Sequence, residues 1–172
     1  MKARTMDSLL EKRNPAMTES DVLELEGFLP YRLNVLATLV SHSLARVYGE
    51  RFGISIPEWR ILATLGQFSE MTAREIGQHS RMHKTTVSRA VSTLEKRQLL
   101  ARRPNDQDMR EAFLAMTPSG QAIYAEIVPL ARSFARDLTQ NIRPEDLAVL
   151  DRVLAQLMGR LNPSGMDHED EA

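Results

Sequence analysis

Between Lys84 and Leu100 the chain reads KTTVSRAVSTLEKRQLL, a pattern whose residue types suit contact with a polyanion that carries hydrogen-bonding edges. At helical spacing Val87, Val91 and Leu94 share one face, while Lys84, Thr85, Ser88, Arg89 and Ser92 share the opposite one. Small hydroxyls on that outer face leave room for approach to a groove floor, and no bulky apolar residue stands in the way. Thr85, Thr86 and Ser88 are therefore candidates for base edges. The planar fork of Arg89 matches guanine O6 and N7, a contact worth roughly 1 to 3 kcal/mol of discrimination, whereas Lys84 is a point charge suited to phosphate.

The surrounding charge supports the same chemistry. From Arg81 to Arg110 there are eight basic residues against three acids, in a chain of 172 residues whose formal net charge is −1. The balance rules against a polycation that coats nucleic acid everywhere and favours phosphate contact on one face. The acidic ending DHEDEA offsets the basic segment.

Other chemistries lack their residues. With no cysteine there is no disulfide framework, thiolate nucleophile or oxidant-sensing thiol, and the chain suits a reducing compartment. There is no Walker loop, GxSxG elbow or HExxH pair, so the chain is read as a non-enzyme without a cofactor. His79 and His83 are four residues apart and would share a helix face, which raises a metal-responsive reading. A turn before Lys84 interrupts that helix, and no thiol or acid completes a ligand set, so no metal site is assigned. DQDMRE lacks the glycine and distal glutamate of a calcium loop. The first residues lack the apolar core of a signal peptide, and no stretch approaches the roughly 18 apolar residues of a membrane helix, so a cytoplasmic location with no membrane partner is expected.

Several elements must position the polar helix. From Pro30, Leu33, Leu36, Val40, Leu44 and Val47 recur at three- and four-residue steps, predicting a long helix that ends near Gly49 or Gly53. Ser55 and Pro57 suit the start of a second helix, with Trp59, Ile61, Leu62 and Leu65 on its buried side and its end before Gly66. Thr72 or a neighbour caps a brief helix that buries Ile76. LLARR and AFLAM flank the polar PNDQDMRE, as two antiparallel strands around an exposed hairpin would. Thr117 or Pro118 then opens a helix burying Tyr124, Ile127, Val128, Ala131, Phe134 and Leu138, bent at Pro129. Pro144 starts a last helix with a stripe of Leu147, Leu150, Val153, Leu154, Leu157, Met158 and Leu161, longer than one small domain needs. The expected fold is mainly α with a small antiparallel β-wing: a winged helix-turn-helix at 57–116, dimerisation helices at 27–56 and 117–161, an N-terminal extension at 1–26 and an acidic tail at 162–172.

Residues 71–120 resemble the DNA-binding core of the MarR family of transcriptional regulators. The resemblance is carried by TVSRAVSTLEKRQL from Thr86, which is similar to the family's recognition helix, and by Asp108 and Arg110 followed by alternating apolar residues and TPSG at 117–120, which are similar to its wing. The resemblance implies that Arg110 enters the minor groove and that Asp108 steadies it. A narrow minor groove has a negative potential that attracts a guanidinium. Arg103 is a further phosphate candidate. One departure is Gln98, where many members have glycine. In pattern the likeness extends over about residues 30–161.

By the same resemblance the chain is a dimeric repressor of double-stranded operator DNA, released by a small molecule. Residues 29–62 resemble more closely a branch that governs breakdown of aromatic acids and responds to hydroxycinnamoyl-CoA thioesters. Tyr31, Val35, Leu39, His42 and Arg46 lie off the main stripe of the first helix and, with Trp59 and Arg60, form the candidate ligand site: apolar walls with a few polar groups. The competing class is a helical protein-interaction module without DNA binding. It accounts for the terminal apolar stripes but leaves the hydroxyl-rich helix and the Arg-tipped hairpin unexplained.

Overall fold

The computed structural model describes residues 22–106 and 108–161. The expectations for the extension before residue 22 and for the acidic tail lie outside these residues. The described residues divide into two units, with the boundary between Ile56 and Pro57.

The first unit holds helix α1, Leu29–Phe52. Pro30 sits in its first turn, where a missing N–H costs nothing. Gly53 ends it in the left-handed region, φ 60°, and donates its N–H to Gly49 O at 2.9 Å. Tyr48 and Ile54 are buried. The predicted stripe is only partly covered: Val40 and Leu44 are half-buried, while Leu33, Leu36 and Val47 are exposed.

Helix α2, Ile56–Phe68, starts at the boundary and lies in the second unit from Pro57 on; β1, Glu70–Thr72, follows, a strand the sequence did not announce. Helix α3, Ala73–Ser80, opens on a reciprocal cap: Glu75 N donates to Thr72 Oγ1 at 3.2 Å, and Thr72 N to Glu75 Oε2 at 2.7 Å. Arg81 then turns left-handed, φ 52°, and Met82 N donates to Gly77 O, which stops α3 and breaks the helix carrying His79 before His83. Helix α4 follows at Lys84–Lys96, and strands β2, Leu100–Pro104, and β3, Ala112–Met116, form the hairpin. The sheet order is β1-β3-β2, antiparallel throughout, with Leu114 of β3 opposite both Met71 and Arg102. β1 is three residues long and pairs only with β3, so no local alternation marked it.

The core of this unit is built from Ile61, Leu62 and Leu65 of α2, Ile76 of α3, Val87, Ala90, Val91 and Leu94 of α4, and Leu99, Leu100, Leu114 and Ile127, all buried. α2 runs through Gly66 instead of stopping before it; this glycine serves a close approach, since a Cβ there would collide with the edge of the Tyr124 side chain at Cζ and the hydroxyl. The end of α4 turns through Gln98, φ 58°. Leu99 N donates to Leu94 O at 2.9 Å and Gln98 N to Glu95 O at 2.8 Å, the pattern of a left-handed helix stop.

Helix α5, Pro118–Thr139, is locked to that stop. Thr117 Oγ1 donates to Gln98 O at 2.7 Å and accepts from Gly120 N at 3.1 Å, while Thr117 N donates to Leu99 O at 3.1 Å. Pro129 lies within α5. Ile127 is buried and Tyr124, Val128, Ala131 and Phe134 are half-buried, but Leu138 is exposed; the buried residues of α5, Gly120 and Ile127, lie in its first half. Helix α6, Pro144–Leu161, has no buried residue; Leu150, Val153, Met158 and Leu161 are exposed and Leu147, Leu154 and Leu157 half-buried. Among the described residues no helix is long and apolar enough to cross a membrane.

Candidate nucleic-acid interface

Helix α4 separates its two faces as an amphipathic helix must. Val87, Ala90, Val91 and Leu94 are buried, and Lys84, Thr85, Ser88, Arg89 and Ser92 are exposed. Thr86 is half-buried, since it sits one residue before Val87 at the edge of the apolar side. The helix is seated by a tight turn, where a Cβ on Gly77 would be 3.3 Å from Met82 O and 3.6 Å from Val87 Cγ2. This close approach of α3 to the start of α4 fixes which residues α4 presents.

The start of α4 carries a feature that spacing alone did not reveal. His83 is its N-cap: Thr85 N donates to His83 Nδ1 at 3.3 Å, and Thr85 Oγ1 lies 2.9 Å from the same nitrogen. His79 instead meets the edge of the Phe68 ring, with centroids 4.9 Å apart. Among the described residues no group of three His, Cys, Asp or Glu could hold a metal ion.

The wing is the turn between Pro104 and Ala112. Asn105 Oδ1 accepts from Asp108 N at 3.3 Å, Asp108 Oδ1 accepts from Arg110 N at 2.9 Å, and Glu111 N donates to Asp108 O at 3.1 Å. Asp108 thus meets Arg110 through the backbone amide. A short carboxylate two residues upstream caps the turn's amide more readily than it reaches the end of an arginine. Arg110 and Asp108 are exposed.

Two acids missed in the sequence hold the wing's other arginines. Arg102 makes a two-pronged contact with Glu95 of α4, Nε to Oε1 at 2.7 Å and Nη2 to Oε2 at 3.2 Å. Arg103 Nη1 is 2.7 Å from Glu70 Oε2 of β1, at the rim of a shallow depression of about 320 Å³. Glu70 and Arg103 are thirty-three residues apart, so no local pattern could pair them. Arg103, the further phosphate candidate, is therefore held by a carboxylate in this structure.

The candidate ligand residues fall in different units. In the first, Tyr31, Leu39, His42 and Arg46 are exposed and Val35 half-buried, with Arg46 Nη2 donating to Ser43 Oγ at 3.3 Å. In the second, Arg60 is exposed and half-buried Trp59 stacks on Tyr124 at a centroid distance of 6.0 Å. Tyr124 also borders a depression of about 300 Å³ with Leu65, Gly66, Ser69 and Met116, which sequence reasoning did not anticipate.

Comparison with known proteins agrees with this architecture. Residues 54–112 match the family model described as MarR family. The chain is 27% identical over 136 residues to the HTH-type transcriptional regulator TcaR of Staphylococcus aureus, covering 78% of this chain and 89% of that one. A MarR family transcriptional regulator from Silicibacter pomeroyi superposes with a TM-score of 0.70 at 27% identity, covering 90% of this chain and 98% of the other. A mutant MarR from E. coli, solved in complex with operator DNA, shares the fold at 20% identity and a TM-score of 0.67, covering 80% of this chain and 99% of the other. With a hydroxyl-faced helix on a winged scaffold, residues 54–112 carry a domain that matches the MarR family, and along most of its length the chain is similar to winged helix-turn-helix transcriptional regulators of that family.

Proposed function

We propose that the chain is a homodimeric repressor that binds a pseudopalindromic operator and is released by an aromatic acid or aromatic acyl-CoA. The observation that carries the DNA-binding half is the exposed face of α4, with Lys84, Thr85, Ser88, Arg89 and Ser92, together with the exposed Arg110 of the wing. In this reading α4 enters the major groove, Arg89 reads guanine, Lys84 holds a phosphate and Arg110 enters the minor groove. The E. coli structure with operator DNA supports this use of the fold. Repression follows from a dimer that occupies promoter DNA and excludes polymerase, in the cytoplasm where that DNA lies.

Dimerisation is supported by the apolar residues left at the surface of α1 and α6, among them Leu36, Leu39, Leu150 and Leu161. Twofold symmetry presents two copies of α4 to successive major grooves about 34 Å apart. An effector would release DNA by binding better to a dimer whose spacing departs from that value, a coupling of about 1 to 3 kcal/mol.

The test is titration of the protein into DNA from its own upstream region, with salt varied and with p-coumaroyl-CoA or feruloyl-CoA added. Specific binding that falls steeply with salt and is released by thioester is the expected result. Binding indifferent to the thioester discards the effector, and absence of specific binding discards the operator.

A further inference from the structure

We infer that His83 fixes the chemical sense in which Thr85 reads DNA, making its hydroxyl an acceptor toward the base edge and selecting bases that offer an exocyclic amine there. The inference rests on the proposed entry of α4 into the major groove.

A threonine hydroxyl carries one proton and accepts through its lone pairs, so a free one tolerates donors and acceptors alike. Thr85 does not have a free one. Its Oγ1 lies 2.9 Å from His83 Nδ1, and its own backbone N–H points at the same nitrogen from 3.3 Å. An amide N–H only donates, so the Nδ1 that caps α4 bears no proton, and the ring's proton is on Nε2. The single lone pair of Nδ1 is then shared between the amide at 3.3 Å and the hydroxyl at 2.9 Å, and the shorter contact draws the Thr85 proton toward the ring. What remains on Oγ1 for a partner outside the protein is lone-pair density.

Position makes this consequential. Thr85 is the second residue of α4 and is exposed, and N-terminal residues of a recognition helix are those that reach base edges. In the major groove adenine N6 and cytosine N4 donate, whereas thymine O4 and guanine O6 and N7 accept. An acceptor-only Thr85 therefore favours adenine or cytosine at the base it meets and leaves thymine or guanine facing a lone pair. His83 touches no base in this scheme; it is a positioning residue that acts through Thr85.

The test is binding-site selection on randomised half-sites with the full-length protein and its Thr85→Val, His83→Ala and His83→Asn variants. Thr85→Val identifies the base concerned as the position whose preference collapses. There the wild type should favour adenine or cytosine by about fivefold, the scale of one hydrogen bond. His83→Ala should flatten that preference and leave other positions intact, a pattern that weakened helix capping alone would not produce. His83→Asn, whose side-chain oxygen both caps and accepts, should restore it. A further arm uses only wild-type protein: purine in place of adenine, or 2-pyrimidinone in place of cytosine, should weaken binding by a similar factor. Preference for thymine or guanine at that position, a preference undisturbed by His83→Ala, no position responding to Thr85→Val, or indifference to loss of the exocyclic amine each overturns the inference while the operator reading stands. A wild type with no sequence preference anywhere overturns both.

Discussion

Arginines of the wing differ in what already holds them. Arg102 and Arg103 are engaged by Glu95 and Glu70, whereas Arg110 is held through its amide by Asp108. Arg110→Ala should therefore weaken operator binding by about 1 to 2 kcal/mol and lower the salt slope by about one per protomer, measured by titration at several salt concentrations. Glu70→Gln should act in the other direction. An exposed ion pair contributes at most about 1 kcal/mol to stability, so its loss leaves the fold intact while freeing Arg103 for phosphate. Tighter binding and a steeper salt slope are expected from the same titration. Gln98 offers a separate check, since its φ of 58° is strained for a residue with a Cβ. Gln98→Gly should be neutral or stabilising by up to about 1 kcal/mol, and Gln98→Val should cost about 1 to 2 kcal/mol in urea unfolding. The sequence marked Gln98 as a departure, and the structure shows that the glycine-like conformation is kept regardless. Roles that depend on side-chain partners, such as those of Glu70 and His83, were not legible, because a residue's type states what it can bond and not what it meets.

Helices and strands here are joined by stops and caps that use few residues. Gly120 is the tightest: a Cβ would collide with the carbonyl oxygen of Leu99, which is backbone and has little freedom to move. Gly120→Ala should destabilise the chain by about 2 kcal/mol or more, with loss of DNA binding in parallel, because the same clash separates α5 from the end of α4. The TPSG motif was read from resemblance; its physical basis is this junction, where Thr117 bonds Gln98 and Gly120 together. Helix ends that depend on a local rule were visible in advance, as at Gly53 and Thr72. Gly66 was misread as a stop, since a glycine needed for the approach of Tyr124 has the same letter as one needed for a turn.

At the scale of the molecule, the apolar stripes of α1 and α6 decide whether one chain suffices. If they pair two copies, a charge placed on each stripe should separate them, with Leu36→Glu and Leu150→Glu together yielding a monomer in sedimentation analysis. Operator affinity should then fall far more than either substitution could cause by touching DNA, because two linked recognition helices bind with an effective concentration that one alone lacks. A stable dimer in the double variant would place the interface elsewhere.

Sequence alone determined the mainly helical winged architecture, the polar face of α4, the hairpin and most helix ends, because each follows from periodicity or from a rule spanning a few residues. Tertiary structure decided what these rules do not reach. Strand β1 exists only through its pairing with β3, Arg103 is drawn to Glu70 across thirty-three residues, and His83 is turned into a cap by the left-handed stop at Arg81. Each depends on two distant or differently oriented segments meeting in space, and the free energy of such meetings is set by packing of the whole unit rather than by any local run of residues.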